Sequence, residues 1–185
     1  MLQSIGRGPR AAGPRDVVTR LADCHERIRR HTAIARRLAA ADGATTSDIR
    51  AAAAQVVSYF GRALPLHSAD EDESIAPRLS SRGGDVAAAC AEMTRQHAAI
   101  HATLTDLLPL CRALDAAPER HADLRGRLDE LAGALAAQFD EHLALEERVV
   151  FPAIAALPDA DRAAIVAEMA ARRAAPSAAR HDGAP

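Results

Sequence analysis

The chain has 185 residues, with 25 acidic against 23 basic side chains, and alanine inflates its 49% hydrophobic fraction while aromatics make up only 2%. That length suits one domain with its own core, and the net charge of −2 singles out no class of partner. Alanine and arginine richness with little β-branched alternation excludes a sheet protein and predicts helices throughout.

Residues 1–15, with Gly6, Gly8, Pro9, Gly13 and Pro14, read as a disordered leader. Nine arginines within residues 1–37 stand against Asp16, Asp23 and Glu26. No aromatics are interleaved to stack bases, so this excess reads as a solvated tail and the wet face of a helix, with no nucleic-acid or membrane partner. A first helix is expected from its N-cap Asp16 to Ala41, with Gly43 as its stop. Ser47 can cap a second helix reaching Leu79, kinked by Pro65 two residues before His67. Asp85 is expected to cap a third helix that runs to Leu114. The fourth opens near Pro118 and runs to Phe151, and Pro77 and Pro152 read mostly as helix terminators. A short fifth helix follows Pro158 and Asp159, closing a domain of residues 16–172 before a flexible tail, 173–185. The fold class is therefore all-α: an up-down-up-down four-helix bundle with a short extra C-terminal helix.

Met1 to Pro14 has no apolar signal region, and no stretch approaches the length of a membrane span. Cys24, Cys90 and Cys111 are odd in number and form no CxxC pair. A soluble protein of the reducing cytoplasm is the expectation.

One motif occurs twice. His67-Ser-Ala-Asp-Glu71-Asp-Glu-Ser-Ile-Ala-Pro77 returns slot for slot as His142-Leu-Ala-Leu-Glu146-Glu-Arg-Val-Val-Phe-Pro152. In a helix, positions i and i+4 share a face, so each copy aims an imidazole and a carboxylate at one spot. The preceding helices repeat as well, Leu21, His25, Ile28 and Leu38 matching Met93, His97, Ile100 and Leu110. At ~1.5 Å rise per residue, counting from the connecting turns places His25, His67, His97 and His142 in one layer of the bundle. His97 and His101 are themselves i and i+4. The candidate metal ligands are thus His25, His67, Glu71, His97, His101, His142 and Glu146. Buried charge of this kind is costly unless it coordinates a metal. Seven N/O donors without a thiolate are too many for one tetrahedral zinc and suit two octahedral first-row ions, iron above manganese or zinc.

On these residues the chain resembles the hemerythrin-like, HHE cation-binding family across residues 16–172. The resemblance implies a four-helix bundle around a non-haem, oxo- or hydroxo-bridged centre of two iron ions. It also implies His25, His67, Glu71, His97, His142 and Glu146 as ligands, with His101 matching an additional histidine of the oxygen-carrying members. Those members place the last carboxylate five residues after the fourth-helix histidine, where this chain has Glu147. The spacing to Glu146 follows the wider family, which makes Glu146 the expected ligand and Glu147 the reserve.

Other histidines read as bland: His31 on a different face from His25, His121 in a first turn, His181 in the tail. Asp70, Asp72, Glu73 and Glu147 read as solvated groups or as partners of the ligands. Phe60, Leu64, Leu135 and Phe139 read as core and as a dry lining, Cys24 as a small buried residue. The chain contains no Glu-x-x-His, no zinc-protease motif, no phosphate loop and no nucleophile elbow. The function expected is binding of dioxygen, or another small diatomic such as nitric oxide, for storage, transport or sensing, with a separate redox partner. The alternatives are a di-iron enzyme acting on peroxide or nitric oxide, iron handling or iron–sulfur repair, and a metal-free interaction module. No acid/base group beyond the coordinating set stands out, which favours binding over catalysis. The absence of cysteine from residues 1–23 weakens iron–sulfur repair.

Overall fold

A computed structural model describes residues 16–175, so the expected leader and most of the expected tail, including His181, lie outside the described residues. Helix α1 (Val17–Ala40) starts at Asp16, whose carboxylate accepts the Thr19 N–H at 2.8 Å. Helix α2 (residues 46–80) is capped by Thr45, not Ser47: the Thr45 hydroxyl accepts the Asp48 N–H and donates to the Asp48 carboxylate. Helix α3 (Gly84–Ala116) is preceded by Gly83 and opens at Gly84, both at positive φ, and Asp85 sits inside the first turn. The reversal from α2 needs a left-handed backbone that Gly tolerates, so the glycines set this boundary and not a side-chain cap. After a 3-10 turn (Pro118–Arg120), helix α4 (residues 121–155) follows, and α5 (Asp159–Ala174) closes the described chain. The expected tail thus begins two residues too early, because Arg172 and Arg173 are engaged in the ion pairs described below.

Helices α1 and α3 each pack on both α2 and α4, giving a four-helix bundle with short connections, and α5 lies across α2 and α1. No strand occurs among the described residues.

The prolines correct the sequence expectation. Neither Pro77 nor Pro152 ends its helix, which continues to Ser80 and to Ala155. A proline lacks its N–H and its ring collides with the carbonyl four residues back. Three wide π turns absorb this, Tyr59–Ala63, Asp70–Ile75 and Glu146–Val150. Each is closed by the residue just before a proline: the Leu64, Ala76 and Phe151 N–H groups donate to Tyr59, Glu71 and Glu146 O. Two of these turns begin at or beside the repeated carboxylate.

Two apolar clusters fill the bundle. One gathers Ile28, Phe60, Leu64, Ile100, Phe139 and Leu143 with residues beyond them, and the other gathers Leu21, Ile75, Leu79, Met93, Val150, Ile154 and, from α5, Ile165 and Met169. Along every one of the four helices, a histidine or glutamate falls between the members of the two clusters. A polar layer therefore divides the core.

Candidate metal centre

That layer holds His25 at 0% exposure and His67, Glu71, His142 and Glu146 at 1% each. His97 is partly buried, its side chain 11% exposed. The six form two overlapping sets, His25–His67–Glu71–Glu146 and Glu71–His97–His142–Glu146, and within each set one donor atom per residue lies within 4.8 Å of all the others. Each carboxylate serves both. Glu71 Oε1 lies 3.1 Å from His67 Nε2 and Oε2 lies 3.1 Å from His97 Nε2. Glu146 Oε2 lies 2.9 Å from His25 Nε2 and Oε1 lies 3.1 Å from His142 Nε2. The two sets therefore share both carboxylates.

Three of these buried atoms, His67 Nε2, Glu71 Oε1 and Glu146 Oε1, make no hydrogen bond, because the close approaches within each i, i+4 pair lack the geometry of one. An unpaired buried polar group costs about 1–3 kcal/mol, so several converging on one spot are tolerable only where something else satisfies them. A cation does. The donors are imidazole and carboxylate with no thiolate among them, a set suited to first-row ions such as iron.

Behind the donors the two halves of the repeat match again. His25 Nδ1 meets Glu147 Oε1 at 2.9 Å, and His97 Nδ1 meets Asp72 at 3.1 and 3.2 Å. With a cation held at Nε2, the carboxylate behind each ring would accept the Nδ1 proton and fix the ring's orientation. Consecutive acids in a π turn thus grip one imidazole from both sides: Glu71 and Asp72 on His97, Glu146 and Glu147 on His25. Phe151 stacks on His25 with ring centroids 4.9 Å apart.

A model of the hemerythrin HHE cation-binding domain matches residues 16–119 and, overlapping, residues 98–175. The chain belongs to this family. Comparison with curated proteins returned no match. The hemerythrin-like domain is a cation-binding one, and the two sets of histidine and glutamate are its candidate ligands here.

The electrostatics suit a hemerythrin-like centre. Burial drives the imidazoles neutral, pushing His67 down to about 3 and His142 to about 4. Burial and the neighbouring Glu146 raise Glu71 well above the carboxylate range. Burial also works to raise Glu146, but the hydrogen bond with His25 leads the opposing effects and holds it low.

Of the seven sequence candidates, the structure brings six together and leaves His101 exposed, outside both sets. The reason lies in the buried stripe of α3, which runs through Met93, Ile100, Leu104 and Leu107 and takes i+3 from His97, not i+4. The repeat gives a second reason: the position matching His101 in α1 is Arg29, which holds Glu147, outside the centre. Glu147 itself, 40% exposed, stands behind His25 and not among the converging atoms. His31 stacks on Tyr59 at 3.9 Å, and His121 Nε2 meets Leu38 O at 2.7 Å. Asp70 is fully buried, not solvated, and is held by Arg172 and Arg173. Sequence reasoning missed Gln96, whose amide oxygen lies 3.1 Å from His142 Nδ1, and Phe151. The signal for Gln96 was its position directly before a repeated histidine.

Proposed function

We propose that the protein holds two iron ions in the paired pockets and binds dioxygen, or another small diatomic such as nitric oxide, for storage, transport or sensing. The observation that carries this is the set of six donors converging on two pockets that share Glu71 and Glu146, three of whose buried atoms make no hydrogen bond. Two ferrous ions, when bound, supply the electrons and the open coordination position that dioxygen requires. The chain's residues do the rest. Asp72 and Glu147 fix the tautomers of His97 and His25, and Phe151, Leu143 and Val150 keep the layer dry.

Burial favours a small ligand. Five of the six donors are at most 1% exposed and His97 alone shows an edge to solvent, so a bulky substrate has no route to the centre. Among the described residues, the ionisable groups beside the centre, Asp72 and Glu147, are taken up by His97 and His25, which favours binding over turnover. The cysteines are free and buried, which suits a reducing cytoplasm, and no helix among the described residues is long and apolar enough to cross a membrane. A separate redox partner would return oxidised iron to the ferrous state.

The test is the optical spectrum of the iron-loaded protein, reduced without air and then exposed to oxygen. A visible band that forms with oxygen and vanishes when oxygen is removed supports reversible binding. Irreversible oxidation with no such band overturns it in favour of turnover or iron handling.

A further inference from the structure

The internal repeat lets each residue around the centre be compared with its mate, and the two pockets differ at one layer. His142 Nδ1 is held by Gln96 Oε1 at 3.1 Å, and Gln96 is itself anchored, its Nε2 donating to Glu92 Oε1 at 3.0 Å. The matching position in α1 is Cys24, the residue before His25 as Gln96 is the residue before His97. The Cys24 sulfur is taken by Arg27 at 3.0 Å, and His67 Nδ1, fully buried, has no hydrogen-bond partner. The second difference is electrostatic. Glu147, which backs His25, shares its Oε1 with the Arg29 guanidinium at 2.7 Å, whereas Asp72, which backs His97, meets the neutral Thr94 hydroxyl.

Both differences act in one direction. A histidine whose Nδ1–H is held by an acceptor is oriented and is a stronger base at Nε2, and loss of such a partner costs 10–100-fold in metal affinity. An arginine on the backing carboxylate withdraws part of the negative charge that would stabilise a cation. We infer that the two pockets are unequal, the His97–His142 pocket being the tight one and the His25–His67 pocket the labile one, with Gln96 the positioning residue that sets the difference. The inference rests on the two-cation reading above and adds an order of loading and release to it. The ion in the His25–His67 pocket leaves first and is the one exchanged for a different metal.

The experiment is crystallographic occupancy, read from anomalous scattering, in full-length protein given one equivalent of manganese(II) alone. Mutual repulsion of two ions plays no part at one equivalent, so the ratio reports the pockets themselves. The expected occupancy in the His97–His142 pocket exceeds that in the other by about tenfold or more. Gln96→Met, close in size but without the acceptor, brings the ratio down towards unity, and Gln96→Glu restores or widens it. Cys24→Gln raises the share of the His25–His67 pocket. Equal occupancies in the unmodified protein, or a ratio that Gln96→Met leaves unchanged, overturn the inference while the dinuclear reading stands. Failure to bind manganese in either pocket overturns both.

Discussion

Asp70 precedes the bridging Glu71 and is 0% exposed, yet it makes its ion pairs with residues from the far end of the chain. Its Oδ1 accepts from Arg172 at 2.6 Å and from Arg173 at 3.1 Å, and its Oδ2 accepts from Arg173 at 2.6 Å. The two sides of this cluster are not equally buried: the Arg172 side chain is 18% exposed and that of Arg173 37%. Removing Asp70 leaves two cations that can turn to water, and Arg172 keeps Glu73 as a partner. Removing both arginines strands an acid with no solvent. Losing one side of a buried pair costs 3–5 kcal/mol, and because Arg173 is more than a third exposed the lower end applies, about 3 kcal/mol for Arg172→Ala with Arg173→Ala. Asp70→Ala should cost about 1 kcal/mol, and adding it to the double arginine variant should recover part of the loss. Urea unfolding of the metal-free protein at pH 7 measures all three, and the melting temperature should fall by roughly 6–12 °C in the double variant. If Asp70→Ala costs as much as the double arginine variant, neutralising a buried acid is not what α5 does, and the reasoning fails.

The metal-free protein should also lose stability on acidification. His67 and His142 have folded values of about 3 and about 4, below the unfolded 6.5, so the unfolded chain gains two protons first as pH falls below 6.5. Glu71 is raised and opposes this wherever it stays protonated in the folded state, so the loss is shallower than the roughly 2.7 kcal/mol per pH unit that two protons alone would give. Urea midpoints at pH 6 and pH 5 check this, and a flat or rising stability over that interval contradicts it. His101→Ala should leave bound metal per chain unchanged by elemental analysis, since the side chain is exposed and outside both sets. Gly126 lies within α4 with nothing within 4 Å of an added Cβ. Gly126→Ala should therefore raise stability by about 0.5–1 kcal/mol in a urea melt.

The bundle was legible because helix periodicity, caps and the duplicated motif all agreed. Asp16 caps α1 as its side chain allows, and residue counts from the turns put four histidines in the layer that separates the two apolar clusters. The details that escaped are those where local rules meet a tertiary constraint. Pro77 and Pro152 signal helix termination, but a π turn before each keeps the helix intact, and sequence has no cheap marker for an extra residue per turn. His101 satisfied the i+4 spacing and still lies outside, because spacing along one helix does not say which edge of the buried stripe faces the partner helices. Asp72 and Glu147 were visible as matched neighbours of Glu71 and Glu146, and their service to His97 and His25 followed only when the helices were brought together. Asp70 looked solvated because its partners are a hundred residues away in α5.

The central claim is that two cation pockets share Glu71 and Glu146, and metal stoichiometry tests it most directly. Protein loaded with iron(II) without air, desalted and analysed for metal, should hold two ions per chain. His67→Ala should retain one, because that imidazole belongs to one set, whereas Glu71→Ala should lose both, because its carboxylate belongs to each. One ion per chain in the unmodified protein, or a Glu71→Ala variant that loses no more than His67→Ala, would contradict the shared-carboxylate centre.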